Sequence, residues 1–365
     1  MIKNENINSE FRIQNSELFK NCYKALIESK KLIISTHENP DGDAIGSALA
    51  LYFYCRHRGI DTKILIHSPI PYNLKFISGI EALKKYNEEV DKSDILTADT
   101  IFVVDLNESS RLGSVAEAIN QSAAKKVVID HHLPSTNPEF RIQNTELFLS
   151  NPEASSTGEL IYKMLKCDSD LKIGPEMAEV LYTAIMTDTG SFRFEKTGSD
   201  VHRIVADLID CGADPVKIYN EYYNIIPANA ARLLGEALAG MEFYYDGQLC
   251  IMTLTKEIFQ KTNTTLDDVE GIVEHTVTLK GVKAGVLITE RIETNYLTTT
   301  LSKGEGELKI IIKLSFRSKA PVNIRAIALQ FGGGGHEQAA GAKIMNANLI
   351  DVKKSIIEKF ANVFS

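Results

Sequence analysis

Short apolar runs recur along the first half of the chain, each separated from the next by a stretch with helical spacing. Lys31–Thr36 (KLIIST), rich in β-branched residues, reads as a buried strand. Ile64–His67, Thr100–Val104 (TIFVV) and Lys126–Ile129 (KVVI) are further strands. Between the first two, AIGSALALYFYCRHRG has the period of a helix and stops at Gly59, a C-terminal cap signal. Ser114–Ser122 is compatible with another helix. Alternating strands and helices predict an α/β fold, a parallel sheet with helices on both faces. The first twenty residues are polar and leave a helix or a loose arm open.

Farther on, Pro175–Met186 and Asp200–Cys211 read as helices, and CGADP after them as a break. Ile226–Gly240 (IPANAARLLGEALAG) reads as a connector helix. The pattern then changes. MEFYYDGQLCIMTLT reads as two strands around an Asp246-Gly247 turn, a hairpin signal. Ala284–Thr289 and Leu308–Phe316 are strands, and Val322–Gln330 a helix running into GGGGH. These elements predict a smaller α+β domain. The expected boundaries are residues 1–29 for an N-terminal extension, 30–200 for the first domain, 201–239 for a linker and 240–365 for the second domain.

The length of 365 residues fits two domains. A net charge of −8 disfavours a grip on long nucleic acid, where phosphate neutralisation supplies most of the affinity. A short substrate in a local basic pocket is compatible with it. The five cysteines are scattered and form no CxxC pair, as expected of reduced cytoplasmic thiols. The start, MIKNENINSE, lacks the pattern of a signal peptide, and no apolar run approaches the ~18 residues of a membrane span. A membrane is therefore not an expected partner.

Acidic clusters sit where strands or helices end. His37, Asp41 and Asp43 lie in HENPDGD, Asp105 follows TIFVV, Asp130-His131-His132 follows KVVI, and Asp188 lies in TDTGSF. Ligands of open parallel sheets bind beyond the carboxyl ends of the strands, so the groups after the three strands, His37, Asp105 and Asp130–His132, are delivered to one edge. Asp41 and Asp43 flank a glycine, and carboxylates that close repel unless a cation lies between them. The plainer alternative is a helix start capped by Asp43, with Pro40 and Gly42 in a turn; it leaves His37 unexplained. Asp105 alone could be a loop residue, and Arg111 could simply pair with Glu108. Two histidines after an acid suit metal ligation, with a carboxylate fixing a tautomer. Asp188 at a helix C-terminus opposes the helix dipole and would welcome a cation. The second signal is FGGGGHEQAAGA, residues 331–342. A flexible linker is the plain alternative; successive glycines can also expose amides as an anion-binding nest, with His336 as a donor and Arg317 as a phosphate fork.

In combination, the order HxxxDGD, D, DHH, TDTG, RS, GGGGHxxAAG resembles the DHH/DHHA1 phosphoesterase superfamily over about residues 30 to 345. Within it, SNPEASSTGELIY at 150–162 and the two-domain length are most similar to the NrnA-type oligoribonucleases, which degrade very short RNAs and dephosphorylate pAp (3′-phosphoadenosine 5′-phosphate). The resemblance implies a parallel-sheet DHH domain, a linker and a DHHA1 substrate-binding domain. It implies one metal on His37, Asp41 and Asp105 and a second on Asp43, Asp105, His131 and Asp188. His132 would lie beside the reacting phosphate, with Asp130 as its support. Arg317, Ser318, Gly333, Gly334, Gly335 and His336 would hold the substrate. Oxygen and nitrogen ligands favour two Mn²⁺ ions, with Mg²⁺ or Co²⁺ as alternatives. The expected reaction is attack by metal-activated hydroxide, turning short oligoribonucleotides into mononucleotides and pAp into AMP, with Asp105 and His132 catalytic. The expected partners are short single-stranded RNA and small nucleotides, not long duplex; a homodimer is admitted. The rival readings are a phosphodiesterase for pApA or cyclic dinucleotides and a non-catalytic nucleotide sensor.

Overall fold

The expected strands lie side by side in a computed structural model that describes residues 3–134, 137–225, 227–269, 271–295 and 307–364. The chain divides into two compact units, Met1–Ile225 and Ile226–Ser365.

In the first unit, β1 (Lys31–Ser35), β2 (Asp61–Ile66), β3 (Leu83–Lys85), β4 (Thr100–Val104), β5 (Lys125–Asp130) and β6 (Thr145–Ser150) form one sheet. Their order is β3-β2-β1-β4-β5-β6, and every neighbouring pair is parallel. The chain steps outward from β1 to β3, then returns to β4 and steps outward the other way. That reversal opens a crevice at the carboxyl ends of β1 and β4, where such sheets bind ligands. The helices are α1 (Lys3–Glu28), α2 (Gly42–Arg58), α3 (Glu88–Thr97), α4 (Ala116–Gln121), α5 (Thr157–Leu165), α6 (Pro175–Asp188), α7 (Ser199–Asp210) and α8 (Pro215–Tyr219).

Strand side chains alternate between two cores. Leu32, Ile34, Phe102, Val104, Val127 and Ile129 pack against α1, α2, α5, α6 and α7. Ile33, Leu65, Ile101, Val103 and Val128 pack beneath α3, α4 and the 3-10 turn Ser109–Val115. Burial on both sides explains why these strands are apolar throughout rather than alternating. The segment expected as an N-terminal extension supplies α1, whose Cys22, Ala25 and Leu26 belong to the first core.

In the second unit, β7 (Glu242–Tyr244), β8 (Leu249–Leu254), β9 (Ala284–Asn295), β10 (Glu307–Ser318), β11 (Gly334–Gly335) and β12 (Ala339–Met345) form a mixed sheet. The order is β11-β12-β10-β9-β8-β7, with β8 and β9 parallel and the other neighbours antiparallel. The Asp246-Gly247 turn joins β7 to β8, with positive φ at Tyr245, Asp246 and Gly247. One face packs on α12 (Arg325–Leu329) and α13 (Leu349–Phe364) through Ile327, Ala328, Val352, Ile356 and Phe360. The other face packs on α9 (Ala228–Ala239) and α10 (Lys256–Thr262) through Leu233, Ala237 and Phe259. A short α11 (Glu274–Thr278) precedes β9. The linker expected over 201–239 divides between the units: α7 and α8 bury Val201, Ile204, Leu208 and Ile218 in the first, and α9 packs in the second. The expected connector helix began at Ile226, which lies outside the described residues.

Candidate active site

Three strand ends and two helix ends of the first unit deliver the site. Just past β1, the Thr36 hydroxyl donates to the Val104 carbonyl (2.8 Å), tying β1 to β4 where the crevice opens. His37 follows. Next, the Glu38 amide donates to the Arg111 carbonyl (2.7 Å), joining the loops after β1 and β4. Asp41 is the N-cap of α2, and its Oδ1 accepts from the amides of Asp43 and Ala44, both at 3.0 Å. The cap is thus Asp41, not Asp43. Asp41 has the extended backbone a cap requires, whereas Asp43 already lies in the first turn, fully buried.

Asp43 is turned inward because α2 packs closely on α6. A Cβ at Gly46 would lie 2.4 Å from the Val180 carbonyl, and one at Gly42 would lie 2.5 Å from the Thr187 side chain. Glycine at both positions lets the helices approach and brings the start of α2 to the end of α6, where Asp188 is the last helical residue. Asp105 follows β4 with φ +64 and is almost wholly buried. A non-glycine residue held left-handed stores strain of order 1–3 kcal/mol, a cost that clusters at functional sites.

The groups converge. His37, Asp41 and Asp105 place ligand atoms within 4.8 Å of one another, as do Asp105, His131 and His132, and Asp43, His131 and Asp188. His37 Nε2 lies 3.3 Å from Asp105 Oδ2 and 4.0 Å from Asp41 Oδ1. His131 Nε2 lies 3.1 Å from Asp188 Oδ2, 3.7 Å from Asp105 Oδ1 and 3.9 Å from Asp43 Oδ2. Backbone acceptors set the rings: His37 Nδ1 faces the Glu38 carbonyl at 2.8 Å and His131 Nδ1 the Ala154 carbonyl at 3.4 Å. A carbonyl only accepts, so the proton belongs on Nδ1 and each Nε2 turns to the carboxylates. His131 Nε2 is buried with no hydrogen-bond partner among the described residues. Such an orphan atom amid carboxylates is suited by a cation.

Charge points the same way. Burial, then the charges of Asp105, Asp188 and Asp41, drive Asp43 well above the usual carboxylate range. Burial, then Asp41 and Asp105, does the same to Asp188. Burial also opposes ionisation of Asp105, but His37, protonated on both nitrogens when no cation is bound, and the nearby histidine charges hold it well below its ordinary value. Burial lowers His131. Burial works against charging His132 too, yet the Asp130 hydrogen bond and the Asp105 charge push it up to about 9. Three carboxylates crowded in a dry pocket carry negative charge that divalent cations would balance, and the oxygen and imidazole donors fit a hard or borderline ion.

Asp130 belongs to none of the three groups. Its Oδ1 accepts from His132 Nδ1 (2.7 Å) and its Oδ2 from Asn107 Nδ2, so it orients a ring. Arg111 makes no ion pair with Glu108 among the described residues; its amide instead closes a turn on the Glu108 carbonyl (3.1 Å). The arginine charge acts on His37 and His132, slightly opposing the rise of both.

The sequence reading did not find the partners of Asp43. Its two oxygens accept from the amides of Thr157 (2.6 Å) and Gly158 (2.8 Å), and the Thr157 hydroxyl donates to Asp105 Oδ1 (2.9 Å). The signal available was the S-x-x-E pattern of Ser156 and Glu159, a helix-start signature that implies exposed amides.

The remaining expected residues lie in the second unit, at one end of the β10–β12 ladder. Arg317 pairs in register with Ala339, the Ser318 amide donates to Gln338, and the His336 amide donates to Ala339 (2.7 Å). Arg317 Nε is held by Glu274 Oε1 (2.8 Å), and the Ser318 hydroxyl donates to the Val322 carbonyl (2.6 Å). The glycine run is neither a linker nor an open row of donors. Gly334 and Gly335 form β11 against Gly341 and Ala340, and the amides of Gly332, Gly333 and His336 are spent on Leu329, Ala328 and Ala339. Close backbone approach demands the glycines: a Cβ at Gly333 would lie 2.0 Å from the Gly341 carbonyl, and one at Gly335 2.5 Å from that of Ala339.

A doubly wound sheet with an aspartate- and histidine-lined crevice, followed by a mixed-sheet unit, defines a DHH-type phosphoesterase. Residues 31–185 match the DHH family N-terminal domain and residues 246–364 the DHHA1 domain. The chain belongs to the DHH/DHHA1 superfamily and is a phosphoric ester hydrolase. Among relatives, it is 27% identical to the bifunctional oligoribonuclease and PAP phosphatase NrnA of Thermus thermophilus, covering 90% of this chain and 88% of the relative. The Bacillus subtilis protein of that name is 25% identical, over 86% and 89%. The cyclic-di-AMP phosphodiesterase PdeA of Listeria monocytogenes is 24% identical over 91% of this chain, which spans 47% of that protein. A solved exopolyphosphatase-related protein from Bacteroides fragilis superposes with a TM-score of 0.83 at 28% identity, over 96% of this chain and 98% of the other. Among the described residues, no helix is long and apolar enough to cross a membrane.

Proposed function

We propose that this chain hydrolyses short oligoribonucleotides to mononucleotides and pAp to AMP, using two divalent cations, with Mn²⁺ favoured. The observation that carries the chemistry is the orphaned His131 Nε2 within a cluster of carboxylates. Near end-to-end similarity to the NrnA proteins supports the substrate class. His37, Asp41 and Asp105 would hold one ion, and Asp43, Asp105, His131 and Asp188 the other. When bound, such ions polarise phosphoryl oxygens and lower the pKa of water.

The chain's own residues do the rest. Asp130 fixes His132 through Nδ1, so Nε2 is the atom that would present a proton to the departing sugar oxygen. The Asp130 hydrogen bond favours the protonated ring. Burial of Asp43, Asp105 and His131 strengthens the electrostatics of that part of the cluster, while Asp41 and Asp188 stay open to solvent and to the attacking water. In this reading the second domain captures the substrate, with Arg317, Ser318, His336 and the glycine hairpin at one ladder end. The net charge of −8 over the whole chain suits a few nucleotides better than a long strand.

A second reading is hydrolysis of pApA or a cyclic dinucleotide, favoured by the match to cyclic-di-AMP phosphodiesterases. One panel separates them: Mn²⁺ with pAp, pApA, cyclic di-AMP, a trinucleotide RNA or pyrophosphate. Turnover of pAp and the trinucleotide is expected. Exclusive turnover of cyclic di-AMP or pApA would move the assignment to the second reading.

A further inference from the structure

The proposed ligands Asp43 and Asp105 are gripped from outside their own strands and helices. Both oxygens of Asp43 accept backbone amides from the first turn of α5, Thr157 at 2.6 Å and Gly158 at 2.8 Å. The Thr157 hydroxyl reaches the other carboxylate, Asp105 Oδ1, at 2.9 Å. One residue therefore joins two of the proposed ligands, one of which stands in both sites. Thr157 is itself fully buried.

The turn that presents these donors is rigid. Ser156 caps α5 by accepting the Glu159 amide (3.0 Å). Glu159 reaches back, and its Oε2 accepts the Ser155 amide (2.8 Å) and hydroxyl (2.7 Å). Gly158 lies against α6: a Cβ there would lie 2.6 Å from Ala184 Cβ and 3.3 Å from Asp43 Oδ1. The Ser156 cap and the Glu159 hold on Ser155, the residue before the cap, thus fix the donors before any ligand arrives. Each bond also occupies a lone-pair direction on its oxygen, which limits where a cation can approach.

We propose that Thr157 is a positioning residue of the metal centre: its hydroxyl and amide set Asp105 and Asp43 in the orientation that receives divalent cations. This rests on the metal reading of the cluster. Groups that orient a metal ligand typically change metal affinity about 10–100-fold when removed. Thr157→Val keeps the β-branched shape and the amide but deletes the hydroxyl; Thr157→Ser keeps the hydroxyl; Thr157→Ala is a second deletion of it.

The test is calorimetric titration of the metal-free full chain with Mn²⁺, alongside its metal-free melting temperature. The expected result is binding weakened about 10–100-fold in Thr157→Val and Thr157→Ala and restored to within a few-fold in Thr157→Ser. The metal-free melting temperatures should differ far less than the affinities. Parental affinity in the two deletion variants, or no recovery with serine, would overturn the inference while leaving the metal centre standing. No Mn²⁺ binding by the parent chain would overturn both.

Discussion

Without divalent cations, this protein should lose stability as pH rises through the neutral range, and Mn²⁺ should reverse that trend. Burial and mutual repulsion raise Asp43 and Asp188 in the folded state. A carboxyl raised by folding contributes stability that is complete below its unfolded value, about 4, and is lost as pH climbs through the folded value. His37 and His132, also raised on folding, act in the same sense, and the contribution of His132 disappears toward pH 9. His131 is lowered and opposes them. Asp105 is lowered too, but its contribution is lost only in strong acid, below this window.

Cation binding needs these ligands deprotonated, so its stabilisation grows with pH. One site filled at about 100 times its Kd adds about 2.7 kcal/mol. For a unit of this size that is a rise in Tm of about 5–11 °C. Differential scanning calorimetry between about pH 5.5 and pH 8, with chelator and then with excess Mn²⁺, reads both slopes. A metal-free Tm that rises with pH, together with a Mn²⁺ increment that shrinks with pH, would refute the assignment of these carboxylates as a cation cage.

Other perturbations follow from particular contacts. Asp130→Asn weakens the acceptor that holds the His132 proton, so kcat should fall about 10–100-fold and its alkaline limb move to lower pH, while KM changes little; an unchanged pH–rate profile would contradict the role given to the pair. Gly46→Ala places a methyl 2.4 Å from the Val180 carbonyl, so chemical denaturation should show a loss of about 1–3 kcal/mol, and parental stability would contradict the close helix packing. Hydrolysis of labelled RNAs should be far faster for strands of a few nucleotides than for long ones, and equal rates would remove the short-substrate assignment.

The sequence exposed those parts of the molecule whose chemistry is carried by side chains in local patterns. KLIIS, TIFVV and KVVI were legible because strands buried on both faces are apolar throughout. β3 and β6 escaped because they are sheet edges. LKK has one buried residue and TELFLS only one, so neither carries a strand signature. The cluster of aspartates and histidines was legible because those residues followed apolar runs, and strand ends share an edge. The donors to Asp43 were not, since backbone amides are the same in every sequence and Thr157 lies more than a hundred residues away along the chain. The cap of α2 was misplaced by two residues because Asp41 and Asp43 are chemically equal; backbone conformation alone tells them apart. GGGGH was read as a donor row, whereas its glycines serve the close crossing of β11 and β12.

The central claim is that Asp41, Asp43, Asp105, Asp188, His37 and His131 surround a pair of cations. Crystals grown with Mn²⁺ and measured at its absorption edge test it directly. The account predicts two anomalous peaks about 3.5–4 Å apart, Asp105 between them and His131 Nε2 bonded to one. Peaks elsewhere, or none within this cluster at saturating Mn²⁺, would contradict it.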